Sequence, residues 1–114
     1  MNDPRIPIRF IVRPEDRLAT EAAITDGAAA FPPGVAVVRF RPVRAQAGHR
    51  AGCTCCTPRG PAAEALARLF LARARGEVAF FTGIAALAES AEGAAAIRAA
   101  LEGDVTAVAR FRSV

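Results

Sequence analysis

The sequence predicts an α/β fold: a small three-layer sandwich around a mostly parallel sheet of about four strands. Short apolar, β-branched runs such as Ile6 to Val12 (IPIRFIV) and Val35 to Phe40 (VAVVRF) read as buried strands. A stretch from Pro61 to about Arg75 has Leu66, Leu69, Phe70 and Arg73 at i, i+3, i+4 and i+7, the spacing of a helix face. Strands that alternate with helical stretches imply parallel βαβ units. Such sheets place ligands at the carboxyl ends of their strands.

Taken in order, the first strand over 6–12 is bounded by Pro4 and Pro14. Glu15 to Phe31 has helical composition, with Asp16 as cap, Leu18, Ala22 and Thr25 on one stripe, and Gly27 as a stop. Pro32-Pro33-Gly34 then dictates a turn before the second strand. Residues 43–60 show no periodicity and form a loop that is long for so small a domain, which favours a functional role. Pro61 suits the first position of the following helix and Gly76 its end. Val78 to Thr82 reads as a third strand released by Gly83, and Ile84 to Glu102 as an Ala-rich helix with a break at Gly93, Ile97 and Leu101 facing the core. Val105 to Phe111 fits a fourth strand or a helical continuation. Phe70, Phe80, Phe81 and Phe111 are expected in the core.

At 114 residues the chain fits a single domain spanning 1–114, and 53% hydrophobic content is globular. The net charge of +4 suggests nucleic acid, yet all 15 basic residues are Arg, interleaved with Ala and Glu and without Tyr or Trp. That pattern fits a GC-rich bacterial genome better than a phosphate-binding face, so nucleic-acid binding is not expected. No signal peptide and no apolar run of membrane-spanning length is visible, which points to a cytoplasmic protein without a membrane role.

All three cysteines lie within four residues, in Gly52-Cys53-Thr54-Cys55-Cys56. An odd number of thiols in a reducing compartment argues against a disulfide framework and leaves metal or redox chemistry. Cys53, Cys55 and Cys56 can hold Zn²⁺ if a fourth ligand arrives, and His49, the only histidine, is the candidate within the chain. A water, a substrate or a second protomer could complete the shell instead. Co²⁺ and Cu(I) are also compatible with thiolate ligands. The rival reading uses the CxxC spacing of Cys53 and Cys56 for thiol–disulfide exchange, with Arg50, Arg59 and the α-helix start lowering a thiol pKa. A third possibility is inert structural cysteines. Glu64, the first carboxylate after the loop, reads as a solvated first-turn residue.

The stretch from Gly52 to Gly60 (GCTCCTPRG), followed by a helix, a strand and Thr82-Gly83-Ile84-Ala85, resembles the CobW-type metal-chaperone GTPases, whose hallmark is GCxCC. The tail Ala99 to Arg112 is also similar, so the resemblance covers about residues 51–112. It implies a truncated scaffold like that of the P-loop NTPases and binding of Zn²⁺ or Co²⁺ by the cysteines. It also implies a client metalloprotein or a larger GTPase as partner. The departures are decisive for nucleotide chemistry. The first strand runs into Arg13-Pro14-Glu15-Asp16 without a glycine, and the chain has no Lys to reach the phosphates. Phe80-Phe81-Thr82-Gly83 stands where the family has Glu-Thr-Thr-Gly, and no Asn-Lys-x-Asp occurs. The expectation is therefore a non-catalytic metallochaperone-like protein with a degenerate P-loop: metal carriage, buffering or sensing, no nucleotide. The alternatives are a redox protein and a metal-free interaction module. Alanine-dependent packing also makes a homodimer compatible with the sequence.

Overall fold

The computed structural model describes residues 3–42 and 60–114. Among them are β1 (Ile6–Ile11), β2 (Glu21–Thr25), β3 (Val37–Arg39), β4 (Gly83–Leu87) and β5 (Phe111–Ser113). The helices are α1 (Pro61–Ala74), α2 (Ala91–Gly103) and α3 (Val105–Arg110). All strand pairs are parallel, in the order β3-β2-β4-β1-β5. The α/β class and the parallel sheet are as expected, with five strands rather than four.

β4 lies at the centre, with Ile84 level with Ile8 of β1 and with Ala22 of β2. The two-residue period of a strand then sorts the side chains. Ile6, Ile8, Ala22, Ile24, Ile84 and Ala86 face the three helices and form the main core with Leu66, Leu69, Ile97, Ala107 and Phe111. On the other face Ile11, Ala85 and Leu87 make a smaller cluster against Ala29 and Phe31. No helix covers that side among the described residues. The outer layer there consists of the irregular β1–β2 and β2–β3 connections, held partly by polar contacts. Arg9 on β1 donates to both carboxylate oxygens of Glu21 on β2 (2.8 and 3.2 Å) and to the carbonyl of Asp16 (2.9 Å).

α1 occupies the expected span. Pro61 opens it, and Gly76 leaves it at φ +71°, a conformation that glycine adopts without a Cβ penalty. The Pro32–Gly34 turn is also present, closed by Val35 N–H to the Pro32 carbonyl at 3.3 Å.

Four expectations are corrected. Glu15 to Phe31 is not helical: a 3-10 turn at Pro14–Asp16 is followed by β2, whose five residues are all buried. The third strand is not Val78–Thr82 but Gly83–Leu87, also buried throughout. Both strands are flanked on two sides within the sheet and buried on both faces, so they need no polar alternation. Their alanines read as helical by propensity, and tertiary context overrides that preference. The Ala-rich helix is accordingly confined to Ala91–Gly103, capped by Ser90, whose hydroxyl accepts from Gly93 N–H at 2.9 Å. Phe80 is not a core residue; it is 71% exposed beneath Arg73, whereas Phe81 and Phe111 are buried. At the C-terminal end the two readings divide the segment. Val105–Arg110 is helix, capped by the Asp104 carboxylate, and Phe111 begins β5.

Candidate functional site

Cys53, Cys55, Cys56 and His49, with Arg50 and Arg59, lie outside the described residues. What is described is the frame that receives the segment carrying them. The chain leaves β3 at Arg39, and Phe40 N–H still bonds the Thr25 carbonyl at 3.1 Å. It re-enters at Gly60, the residue before Pro61 at the N-terminus of α1. Pro42 and Gly60 line one groove of about 580 Å³, shared with Ala63, Glu92, Ala96 and Ala99. The cysteine-bearing segment therefore joins the carboxyl edge of the sheet to a helix start, the edge at which parallel α/β sheets place their ligands.

That edge already holds a polar network that the sequence reading missed. Asp26, just past β2, accepts from Glu89 N–H (2.6 Å) and from the Ser90 hydroxyl. Ser90 in turn caps α2, so a carboxylate of the protein itself sits at the helix N-terminus, where the dipole and free N–H groups favour an anion. Glu89 accepts from Ala29 N–H at 3.3 Å and from the Thr25 hydroxyl at 3.5 Å. Arg39 ties the same turn, donating to the carbonyls of Gly27 (2.7 Å) and Ala29 (2.8 Å). Gly93 belongs to this arrangement, because a Cβ there would lie 2.1 Å from the Asp26 carboxylate. With these donors engaged, Asp26 and Glu89 read as an anchor between β2, β4 and α2. Asp26-Gly27 as a turn dipeptide and Ser90 three residues before Gly93 were the available signals.

The carboxyl end of β1 has a different character. Asp16 and Arg17 N–H groups bond the carbonyls of Arg13 and Pro14 (2.9 and 3.2 Å), and Arg13 N–H bonds the Asp16 carboxylate (3.1 Å). Where a phosphate cradle presents free N–H groups, this turn uses its own and adds two acidic side chains, Glu15 and Asp16. Thr82-Gly83 opens β4 at the amino edge instead of closing a strand, so its match to the Thr-Gly that ends a strand in the resembled family is positional only.

Electrostatics elsewhere are structural. The hydrogen bond to Glu21 raises the Arg9 pKa further above its ordinary value, and the Glu21 side chain of this pair is only 7% exposed. Side-chain hydrogen bonding from Arg5 lowers the Asp3 carboxyl to about 2. Glu64 is exposed in the first turn of α1, as its spacing suggested. Among the described residues no group of three His, Cys, Asp or Glu side chains could hold a metal ion, and no helix is long and apolar enough to cross a membrane. Comparison with protein-family models, with curated proteins and with solved structures gives no match.

Proposed function

We propose that this chain binds a soft transition metal, Zn²⁺ foremost, through the thiolates of Cys53, Cys55 and Cys56. His49 is the in-chain candidate for the fourth ligand. The observation that carries this reading is the concentration of every thiol in the chain within four residues, beside its only histidine. Three thiolates with one nitrogen make a donor set suited to tetrahedral Zn²⁺, and Co²⁺ can take the same set. The frame supports the reading, because the segment spans from the carboxyl end of β3 to the start of α1. The role that follows is carriage, buffering or sensing of the metal in the cytoplasm. The recipient is a client metalloprotein or a larger GTPase, and the metal could also be shared across a homodimer.

Nucleotide turnover has no part in this proposal. The chain contains no Lys, and the turn after β1 engages its own N–H groups. Thiols titrate near ~8.5, so metal uptake at neutral pH displaces protons, and affinity falls as pH falls.

The test is metal content and free-thiol count on protein purified without added metal, under native and denaturing conditions. About one equivalent of Zn²⁺ per chain is expected from a Cys₃ site with one further ligand, lost in Cys55→Ser with the fold retained by circular dichroism. A metal-free protein that cycles a Cys53–Cys56 disulfide at a cytosolic potential contradicts the proposal in favour of redox chemistry. Neither metal nor disulfide, with an unchanged fold in the triple Ser variant, leaves an interaction module.

A further inference from the structure

At the amino edge of the sheet a depression of about 270 Å³ is lined by Pro4, Arg5, Phe70, Arg73, Ala109 and Arg110 among others. Two of these guanidiniums are held by aromatic rings. The Arg73 guanidinium carbon lies 4.1 Å from the Phe80 ring centroid and 5.4 Å from that of Phe81. Its Nε donates to the Phe81 carbonyl at 2.8 Å. Arg110 lies 4.2 Å from the centroid of Phe70, itself edge-on to Phe111 at 6.0 Å. A guanidinium held over a ring face keeps its terminal N–H donors for a planar, two-point contact with an oxyanion.

The simpler explanation is that both arginines offset the C-terminal dipoles of α1 and α3. Yet neither donates to a carbonyl of its own helix among the described residues; the rings and the Phe81 carbonyl hold them. Nor does either have a carboxylate partner there. Arg5, in contrast, is engaged by Asp3 at 2.8 Å, and Arg112 reaches the same carboxylate at 4.0 Å. Arg73 and Arg110 thus present two positive charges with no carboxylate partner among the described residues, beside an apolar wall.

We infer that this depression binds a small phosphate monoester with an apolar body, the phosphate bridging Arg73 and Arg110 and the body resting on Pro4, Phe70 and Ala109. A dianionic phosphate balances both charges and offers three acceptor oxygens, whereas a carboxylate balances one. The volume falls just below the ~300 Å³ at which the usual range of ligand pockets begins, which restricts the site to a compact molecule. The site is independent of the metal proposal.

The test is calorimetric and NMR titration of the full chain with phenyl phosphate, inorganic phosphate and benzoate. Saturable one-to-one binding is expected, with phenyl phosphate tightest and benzoate ~tenfold or more weaker. Arg110→Gln and Arg73→Gln should each weaken phenyl phosphate by ~tenfold with circular dichroism unchanged. Arg98→Gln, whose guanidinium stacks on Phe10 at 5.1 Å outside this depression, should leave it intact. The inference is overturned if phenyl phosphate does not saturate, if benzoate binds equally, or if Arg98→Gln costs as much as Arg110→Gln. Tighter binding of a phosphotyrosine peptide than of phenyl phosphate would also overturn it, in favour of a protein partner.

Discussion

The two faces of the sheet solve the same burial problem in different ways. On one, Ile8, Ile24 and Ile84 interlock with Leu66, Leu69 and Ile97 from helices, an apolar contact that needs no partners for polar groups. On the other, among the described residues, Ile11, Ala85 and Leu87 meet Ala29 and Phe31, and polar links add to the closure: Arg9 to Glu21, and Glu89 to Thr25 and Ala29. Stability on the first face should scale with apolar volume. On the second it should depend on keeping charged groups paired.

Matched truncations give the largest effect and can break this contrast. Leu66→Ala, at a fully buried position in the helical core, should cost ~3–4 kcal/mol in chemical denaturation. Leu87→Ala on the other face should cost ~2 kcal/mol, since its looser irregular cover can settle into the space. Equal losses would mean that the irregular layer packs as tightly as the helices.

Next in size is the ion pair. Glu21→Gln keeps an acceptor for Leu18 N–H, now 2.8 Å from the carboxylate, but removes the charge that Arg9 faces. A loss of ~1.5–2 kcal/mol is expected, with much of it recovered when Arg9→Met is added, because replacing both charges leaves neither one buried unpaired. A double-mutant cycle showing additivity would remove the pair from the account.

A smaller effect comes from the anchor at α2. Asp26→Ala should cost ~1 kcal/mol through the lost cap interactions. Gly93→Ala, whose new Cβ meets the Asp26 carboxylate at 2.1 Å, should be markedly less harmful in the Asp26→Ala background. Independent, additive losses would contradict that contact.

The smallest effect is at Asp3, which is exposed. Its carboxyl titrates at about 2 in the folded chain against 3.8 unperturbed, so the folded state favours the ionised form. That stabilisation is complete above pH 3.8 and disappears as pH falls toward 2. Asp3→Asn should therefore flatten the stability–pH curve in that acid window only, and added salt should shrink the difference.

The same contrast explains what the sequence made legible. α1 was readable because one of its faces is apolar and the other is solvated, so its period is written in the residue types. β1 was readable from Ile6, Ile8 and Ile11 between two prolines. β2 and β4 were not, since a strand buried on both faces and built from alanine carries no alternation, and alanine reads as helix. The polar network at the carboxyl edge joins residues more than sixty positions apart, such as Asp26 and Ser90 (|i−j| of 64), and no local pattern announces such a meeting. For the site the balance is reversed. The cysteine cluster is plain in the sequence, whereas the arginines stacked at the amino edge emerge only from the fold.

We propose that Cys53, Cys55 and Cys56 bind metal as thiolates. The most direct measurement is titration of the reduced, metal-free chain with Zn²⁺ by calorimetry in two buffers of different ionisation enthalpy. One tight site is expected, with release of protons that increases as pH falls toward neutrality from ~8.5, and loss of both in the Cys55→Ser variant. Tight binding with no proton release, or equal binding by the variant lacking all three thiols, would contradict it.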